Sequence, residues 1–283
     1  MILAIDIGNS SISCGVFKTS AVTDPSACIC KFKIADKQLS ADEYMLTLCQ
    51  FLSLYGIIPA NAFSGNTEAD DASKMLDACV IASVVPALTE TISRAARKLT
   101  GVRPLLIGQG VRTGFGIKIR NPEQLGADIV ANTAGAFLYT EPPFVVLDVG
   151  TATTITYVNS RKELLGTIIM PGLTVSMAAL TDSAALLYHD SLEKPEEILG
   201  KSTSEAIRSG VVGGHTLMID GFLRNIREQY AAENEDTKIG LIATGGLAEA
   251  ILPYCRNRFL YVSDLTLQGA VNLYQKNGPG KRI

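Results

Sequence analysis

The sequence predicts an α/β protein with mixed sheets, built from two related halves. Of its 283 residues, 47% are hydrophobic and 19% are charged, which is enough apolar material for a packed core. Strand-like and helix-like segments alternate along both halves, as they do in α/β folds. Two segments about half the chain length apart resemble each other, and such a repeat indicates two domains of the same topology. We therefore expect one domain over residues 1–140 and a second over 141–283.

The repeat consists of ILAIDIGNSSISCGVF, which begins at Ile2, and VVLDVGTATTITYV, which begins at Val145. Each copy runs from an apolar strand through an aspartate, a β-branched residue and a glycine into small polar residues and a second strand. Because both copies stand at the start of a half, we interpret them as a duplication and expect the active site in a cleft between the halves. In register, the copies pair Asp6 with Asp148, Gly8 with Gly150, Asn9 with Thr151 and Ser11 with Thr153.

Further strands and helices follow each copy in alternation. A helix is predicted over 121–139, where Asn121 is a favourable N-cap and Pro122 suits the first helical position. A long helix is predicted over 204–231 and a final one over 265–276. Strands are predicted over 78–84, 104–108 and 238–246, and a polar surface loop over 61–74.

The charge and cysteine content exclude several classes of protein. There are 25 Lys and Arg residues against 28 Asp and Glu, and the net charge of −3 excludes a broadly basic surface for nucleic acid or membranes. Six scattered cysteines without a repeated CxxC spacing, and only two histidines, argue against a zinc site and indicate reduced thiols. The sequence shows no signal-peptide pattern and no apolar run of about 18 residues. We therefore expect a cytoplasmic protein.

The repeated turn has the chemistry of a phosphate-binding loop. A glycine directly after a strand lets the backbone turn tightly and brings N–H groups close to a phosphate, while hydroxyl side chains add donors. An aspartate at the strand end can hold a cation beside the phosphates. One such turn alone would be an ordinary hairpin, but two equivalent copies favour phosphate binding. The candidate residues are Asp6, Gly8, Asn9, Ser10 and Ser11 in the first copy, and Asp148 and Thr151 in the second.

A candidate general base lies in the segment GADIVAN at 126–132. Asp128 falls early in the predicted helix among Ala, Ile and Val residues, so we expect its carboxylate to be partly desolvated. Phosphoryl transfer to a hydroxyl uses a carboxylate within hydrogen-bonding reach of that hydroxyl. Taken alone, the pattern suits a surface or capping aspartate better than a base.

Two glycine-rich segments have more than one interpretation from the residues alone. TGGLA at 244–248 suits either the approach of a nucleoside to the backbone or a plain turn. GVVGGH at 210–215 favours close helix packing, with a structural role for His215. The sequence contains no GxxxxGK[ST], HExxH or GxSxG, which excludes those phosphate, zinc-protease and hydrolase motifs.

Eight segments form an ordered pattern over nearly the whole chain. In chain order they are AIDIGNSSISCGVF, ASVVP, NPEQLGAD, LDVGTATTITYV, PGL, LGKSTSEAIRSGVVGG, ATGG and DLTLQG. Taken together, these segments resemble the type III pantothenate kinase family. The resemblance implies membership of the acetate kinase, sugar kinase, Hsp70 and actin superfamily, and so two duplicated ribonuclease-H-like (actin-like ATPase) domains.

The resemblance also implies a reaction and its participants. ATP would phosphorylate the primary hydroxyl of pantothenate to 4′-phosphopantothenate, the first step toward coenzyme A, and Mg²⁺ would accompany the nucleotide. Asp128 would be the base. Asp148 would bind a monovalent cation, K⁺ or NH₄⁺, and a homodimer would complete the site. Asp6 through Cys14 would form the first phosphate loop and Thr151 would contact ATP, while Gly126, Ala127, Asp128, Ile129 and Ala184 would face pantothenate.

Two of these positions depart from the family pattern. The family usually has GADR, whereas Ile129 takes the place of the arginine in this sequence. A threonine is usual where this chain has Ala184, with Ser183 one place earlier. Three hypotheses therefore stay open: a pantothenate kinase, a catalytically weak nucleotide-binding paralogue with a regulatory role, and a kinase for another small hydroxyl acceptor.

Overall fold

The computed structural model describes residues 1–18, 27–35, 38–59, 76–182, 191–193, 195–230 and 238–278. The predicted loop over 61–74 lies outside them. The chain packs as two compact units. Unit 1 consists of Met1–Gly114, Asn121–Tyr139 and Leu265–Ile283, and unit 2 of Phe115–Arg120 and Thr140–Asp264. These compact units are not the two predicted halves, because the last helix packs with unit 1. The boundary at residue 140 concerns the duplicated halves of the sequence and stays a prediction.

Unit 1 contains a five-stranded mixed sheet in the order β3-β2-β1-β4-β5. Strands β1 to β3 are antiparallel neighbours, whereas β4 and β5 run parallel to β1. The predicted strands over 78–84 and 104–108 are confirmed as β4 and β5. The strands are β1 (Ile2–Ile7), β2 (Ser11–Phe17), β3 (Cys28–Ala35), β4 (Ala78–Ser83) and β5 (Leu105–Leu106).

Two helices cover one face of this sheet. Helix α1 (Ala41–Leu54) begins at a capping box in which the Ser40 and Glu43 side chains each accept from the other's backbone N–H. Helix α2 (Pro86–Thr100) begins at a proline and ends before Gly101, whose φ of 70° suits a glycine cap. The apolar side chains of both helices pack against alternate residues of β1 and its neighbours. The core of unit 1 lies between these layers.

Two further helices, α3 (Ala127–Ala136) and α8 (Leu265–Asn277), belong to unit 1. α8 lies on the opposite face of the sheet, where a Cβ added to Gly15 would be 3.1 Å from the Leu267 side chain. The predicted final helix over 265–276 is confirmed as α8. The predicted single helix over 121–139 is wrong, because a 3₁₀ turn at Pro122–Gln124 is followed by extended backbone at Leu125 before α3 begins.

Unit 2 contains a six-stranded mixed sheet in the order β11-β10-β7-β8-β9-β6. Apart from β6, its strand order and strand directions are those of unit 1. The duplication suggested by the sequence is therefore present in the topology, and the predicted strand over 238–246 is confirmed as β10. The strands are β6 (Gly116–Ile117), β7 (Phe144–Val149), β8 (Ala152–Val158), β9 (Glu163–Pro171), β10 (Gly240–Thr244) and β11 (Leu260–Tyr261).

The described helices of unit 2 include one interrupted stretch. The long helix predicted over 204–231 is wrong as a single regular α-helix, because a π turn at Ser209–Gly213 separates its two parts. The glycine-rich residues there tolerate the wider turn. The helices are α4 (Leu173–Asp182), α5 (Thr203–Arg208), α6 (Gly214–Tyr230) and α7 (Ala248–Ile251).

The two repeated hairpins differ in length by one residue. In unit 1 the Gly8 N–H donates to the Ser11 carbonyl at 3.1 Å, and in unit 2 the Gly150 N–H donates to the Ala152 carbonyl at 3.1 Å. Ser11 and Ala152 are therefore counterparts, and the predicted pairing of Ser11 with Thr153 is wrong. The predicted pairings of Asp6 with Asp148 and of Gly8 with Gly150 agree with the strand pairing in the two sheets.

Helices α3 and α8 meet at a contact that only glycine permits. A Cβ added to Gly269 would lie far inside van der Waals contact with the Ala131 carbonyl oxygen. A Cβ added to Gly135 would lie 2.5 Å from the Leu265 carbonyl oxygen. The two backbones therefore touch directly.

Polar side chains also link α3 and α8. The Thr266 hydroxyl donates to Asn132 Oδ1 at 2.7 Å, and Asn272 Nδ2 donates to the Ala134 carbonyl at 2.8 Å. We call this contact the α3–α8 seam. It consists of Ala131, Asn132, Ala134 and Gly135 on α3 and Leu265, Thr266, Gly269 and Asn272 on α8.

Replacing Gly269 with alanine is expected to lower the free energy of unfolding by at least about 2 kcal/mol, because the methyl group has no space in the seam. Chemical denaturation measures the change. Gly221→Ala in α6 is the matched control, since its Cβ would meet no atom within 4 Å and the helix favours alanine by about 0.5–1 kcal/mol. Equal stabilisation of both variants would contradict the described seam.

Candidate functional site

In unit 1, the carboxyl ends of the parallel strands β1 and β4 form the edge at which ligands bind in many α/β proteins. Ile7 pairs with Ser83, and the next N–H, that of Val84, donates to the Ile7 carbonyl at 3.1 Å. The first predicted phosphate hairpin begins directly after Ile7. Asp6 is half-buried, and strand alternation places it on the α8 side of the sheet.

The tip of the first hairpin is open to solvent. Asn9 and Ser10 are exposed, whereas Gly8 and Ser11 are half-buried. Gly8 shapes the turn, because its N–H bonds to Ser11 within the hairpin and a Cβ would be 3.3 Å from the Ser11 carbonyl oxygen. The groups of this hairpin that remain candidates for phosphate binding are therefore those of the exposed tip and the adjacent side-chain hydroxyls.

Asp128 stands in the first turn of α3 and is the one half-buried residue of a helix whose other residues are all buried. The backbone N–H of Ile129 donates to Asp128 Oδ1 at 2.8 Å. Burial raises the pKa of the Asp128 carboxyl above its ordinary value, and the backbone hydrogen bonds oppose this only in part. A carboxylate with a raised pKa is a stronger base than a solvated one.

Gly126 places Asp128 at the same edge as the first hairpin. A Cβ added to Gly126 would collide with Asp128 Oδ1 and would lie 3.5 Å from Val84 Cγ1. The start of α3 therefore rests against the end of β4, next to β1. The structure thus brings Asp128 and the Asp6 hairpin to one end of the sheet in unit 1, as the sequence alone could not show.

Of the other residues predicted to face the acceptor, two are buried in the structure and one lies outside the described residues. Ala127 and Ile129 are buried, and Ile129, at 6% exposure, adds an apolar side chain to the interior of unit 1 where the family pattern has a cation. Ala184 and the neighbouring Ser183 lie outside the described residues.

In unit 2, glycines close around the second hairpin. Gly245 has a φ of 98°, and a Cβ there would lie 2.5 Å from the Val149 backbone N and 2.6 Å from Asp148 Oδ1. The Leu247 N–H donates to the Val149 carbonyl at 3.1 Å. The TGG turn therefore packs directly on the strand end that carries the half-buried Asp148.

Gly172, the residue directly after β9, supports the same hairpin. Its N–H donates to the Thr151 carbonyl at 3.0 Å, and a Cβ would lie 2.5 Å from that oxygen. Thr151 itself is exposed. Reasoning from single residues missed Gly172, although a glycine directly after a strand was the available signal.

His215 is fully enclosed within unit 2. Its Nε2 lies 2.9 Å from the Thr153 hydroxyl, and burial lowers the pKa of the imidazole. This pair ties the start of α6 to β8, next to the second hairpin.

Among the described residues, the side chains form no cluster of metal ligands. All six cysteines are free, and within the described ranges no group of three His, Cys, Asp or Glu residues is placed to hold a metal ion. The oxygen-bearing side chains predicted at the second hairpin are the half-buried Asp148 and the exposed Thr151. Such a set suits a hard cation.

Two sheets of one topology, each with a glycine hairpin after its first strand, define the actin-like ATPase and sugar kinase class. A solved structure described as a conserved putative Baf family transcriptional activator from Campylobacter jejuni is 19% identical, with a TM-score of 0.56 over 97% of this chain and 98% of that chain. A putative 2-dehydro-3-deoxygalactonokinase from Sinorhizobium meliloti is 14% identical, with a TM-score of 0.53 over 99% of this chain and 100% of that chain. Both similarities concern the fold.

Sequence comparison identifies the family within this class. The family described as type III pantothenate kinase matches residues 2–225. A type III pantothenate kinase of Shouchella clausii (strain KSM-K16) is 36% identical over 280 residues, 98% of this chain and all of that protein. One of Acholeplasma laidlawii (strain PG-8A) is 34% identical over 278 residues, 98% of this chain and 99% of that protein. The chain belongs to the type III pantothenate kinase family.

Replacing Gly126 with alanine is expected to lower kcat for phosphoryl transfer about 10- to 100-fold, because the added methyl group displaces the Asp128 carboxylate by a distance that catalysis does not tolerate. Steady-state kinetics measure the change. Gly166→Ala in unit 2 is the control, since its Cβ would meet no atom within 4 Å. An unchanged kcat for Gly126→Ala would mean that the observed place of Asp128 is unimportant for turnover.

Proposed function

We propose that this protein transfers the γ-phosphoryl group of ATP to the primary hydroxyl of pantothenate, the first step of coenzyme A biosynthesis. Membership of the type III pantothenate kinase family supports the reaction. The observation that carries it is the half-buried Asp128, whose pKa is raised, at the sheet edge where the first hairpin begins.

Both hairpins supply nucleotide contacts in this proposal. In unit 1, Asp6 and Gly8 shape the strand end, and Asn9, Ser10 and Ser11 offer polar groups to phosphate oxygens. In unit 2, the exposed Thr151 offers a hydroxyl. Donors held in a fixed turn stabilise phosphate charge without reorganisation during the reaction. The expectation that one cleft contains both hairpins stays a prediction.

Asp128 acts as the general base. Its carboxylate accepts the proton of the pantothenate hydroxyl while that oxygen bonds to the γ-phosphorus and the bond to the β-phosphate oxygen breaks, which leaves ADP. The N-terminus of α3 stabilises the negative form of the carboxylate, whereas burial disfavours it. Burial is the larger of these influences, so the pKa of the Asp128 carboxyl is raised and its carboxylate is more basic than a solvated one.

Two cations belong to the proposal. Mg²⁺ would arrive with ATP, because it is usually held by one or two carboxylates together with substrate phosphates, and Asp6 is the candidate side chain in unit 1. When bound, it neutralises charge on the phosphates. K⁺ or NH₄⁺ would bind at Asp148, where the oxygen donors of the second hairpin suit a hard monovalent ion.

The acceptor site would include Gly126, Ala127, Asp128 and Ile129. The buried Ile129 offers no charge to the carboxylate of pantothenate, which favours a second candidate function, phosphorylation of another small hydroxyl acceptor. A panel of hydroxyl acceptors in the same assay distinguishes the two. ATP binding without turnover on any acceptor would instead indicate the weak, regulatory paralogue.

A homodimer and a cytoplasmic location complete the proposal. Ile198 and Leu199 of unit 2 are 76% and 78% exposed, and adjacent exposed apolar side chains are typical of an interface. Six free cysteines suit a reducing compartment. Among the helices that the structure describes, none has the length and apolar character of a membrane span.

Asp128→Asn is expected to abolish pantothenate-dependent ADP release and to leave ATP affinity nearly unchanged, because the amide cannot accept the hydroxyl proton. A coupled assay with ATP, Mg²⁺ and K⁺ measures turnover, and calorimetry measures nucleotide binding. In the unaltered protein, kcat should fall as pH drops through the raised pKa of Asp128, above the value of about 3.9 for a solvated aspartate. Persisting turnover in Asp128→Asn would refute the assignment of the base.

Asp148→Asn is expected to raise the K⁺ concentration needed for half-maximal activity at least about 10-fold, because the substitution removes the anionic ligand. Titration of the rate with KCl measures it. Glu228→Gln, an exposed carboxylate on α6, is the control in unit 2. An unchanged K⁺ response in Asp148→Asn would exclude a cation at this position.

A further inference from the structure

Asp128 shares one face of α3 with the residues that contact α8. Counted from Asp128, Ala131, Asn132 and Gly135 stand at i+3, i+4 and i+7, the spacing of a single helical stripe. Those three residues form part of the α3–α8 seam, through contacts with Gly269, Thr266 and Leu265. Asp128 therefore lies one helical turn before the seam on the same face of α3. Rotation of α3 about its own axis would change the direction in which the Asp128 carboxylate points.

The glycine contact sets a short distance between the two helices. At Gly269 the backbone of α8 meets the backbone of α3, whereas at Gly135 both the carbonyl and the side chain of Leu265 pack against the glycine. The neighbouring α3 residues Ala131 and Ala134 are also small. Directional bonds across the seam therefore add to the packing of the buried α3 residues in fixing the rotation of the helix.

The bond between Thr266 and Asn132 is such a directional contact. It is 2.7 Å long and joins two side chains that are 134 residues apart in the sequence. Asn132 is 3% exposed, so a rotation that broke the bond would leave its amide oxygen without this donor in a dry interior. The second tie, from Asn272 to the Ala134 carbonyl, reaches only the backbone.

We propose that Thr266 and Asn132 are positioning residues that aim the Asp128 carboxylate at the acceptor hydroxyl. The proposal rests on the proposed function of Asp128 as the base. A carboxylate about 5 Å from the helix axis moves about 1 Å when the helix turns by about 10°. Catalysis is sensitive to displacements of this size, with losses on the order of 100-fold in rate.

The test compares two variants of Thr266 with a matched variant on α3. Thr266→Val keeps the shape and removes the hydroxyl, whereas Thr266→Ser keeps the hydroxyl. Thr133→Val is the control, because the buried Thr133 hydroxyl donates to the Ile129 carbonyl of its own helix at 2.8 Å and not to α8. The measurements are kcat, the KM for ATP, the pH profile of kcat and the unfolding temperature.

We expect Thr266→Val to lower kcat about 10- to 100-fold with an unchanged KM for ATP, and to shift the acid limb of the pH profile as the surroundings of Asp128 change. Thr266→Ser should recover most of the rate. Thr133→Val should lower the unfolding temperature without either kinetic effect. The proposal is overturned if Thr266→Val behaves kinetically like Thr133→Val, or if Thr266→Ser recovers nothing.

A double variant separates this proposal from the proposed function. If Thr266 acts through Asp128, adding Thr266→Val to Asp128→Asn should not slow the residual rate further. A further loss of the same size as in the unaltered background would overturn the positioning role alone. Full turnover in the single variant Asp128→Asn would overturn both the base assignment and the positioning role.

Discussion

The direct contact between the backbones of α3 and α8 is the constraint on which unit 1 depends. It requires glycine at two positions, and it brings the last described helix against the helix that begins beside β4. Because α8 follows all of unit 2 in the sequence, unit 1 is complete only when nearly the whole chain has been made. The hydrogen bonds between α3 and α8 therefore join residues 134 and 138 positions apart in the sequence, and closing such a long loop costs conformational entropy.

The two units show how one topology surrounds its first turn with different residues. Both place an aspartate and a glycine at the end of the first strand, and both return through an antiparallel hairpin. In unit 2 the hairpin is one residue shorter, and the glycines directly after β9 and β10 close around it. Thr153 of that unit takes the place of the apolar Ile12 and pairs with a buried histidine. Duplication thus preserved the backbone path, and the surroundings of each turn diverged.

The sequence was informative where the pattern is local and repeated. The Asp-Gly turns, the strand at 78–84 and the final helix followed from short-range signals. The start of α3 could not be predicted in this way. Nothing about Leu125 indicates the extended conformation that it adopts, and the preceding Asn121 and Pro122 suit a helix start. The seam could not be predicted either. Glycine is an unfavourable residue inside a helix. The reason for glycine at positions 135 and 269 becomes clear only when the carbonyl of the opposing helix is known.

Asp128 combines two opposing influences that a single substitution cannot reproduce. The first turn of a helix and the Ile129 N–H stabilise its charge, while the apolar residues that fill the rest of α3 remove water and raise its pKa. An aspartate on the surface would be a weaker base, and one without the helix terminus would have a pKa raised further by burial. The apolar character of α3, including Ile129, is therefore part of the basicity of Asp128. A cation at position 129 would lower that pKa, so the isoleucine favours a more basic carboxylate at Asp128.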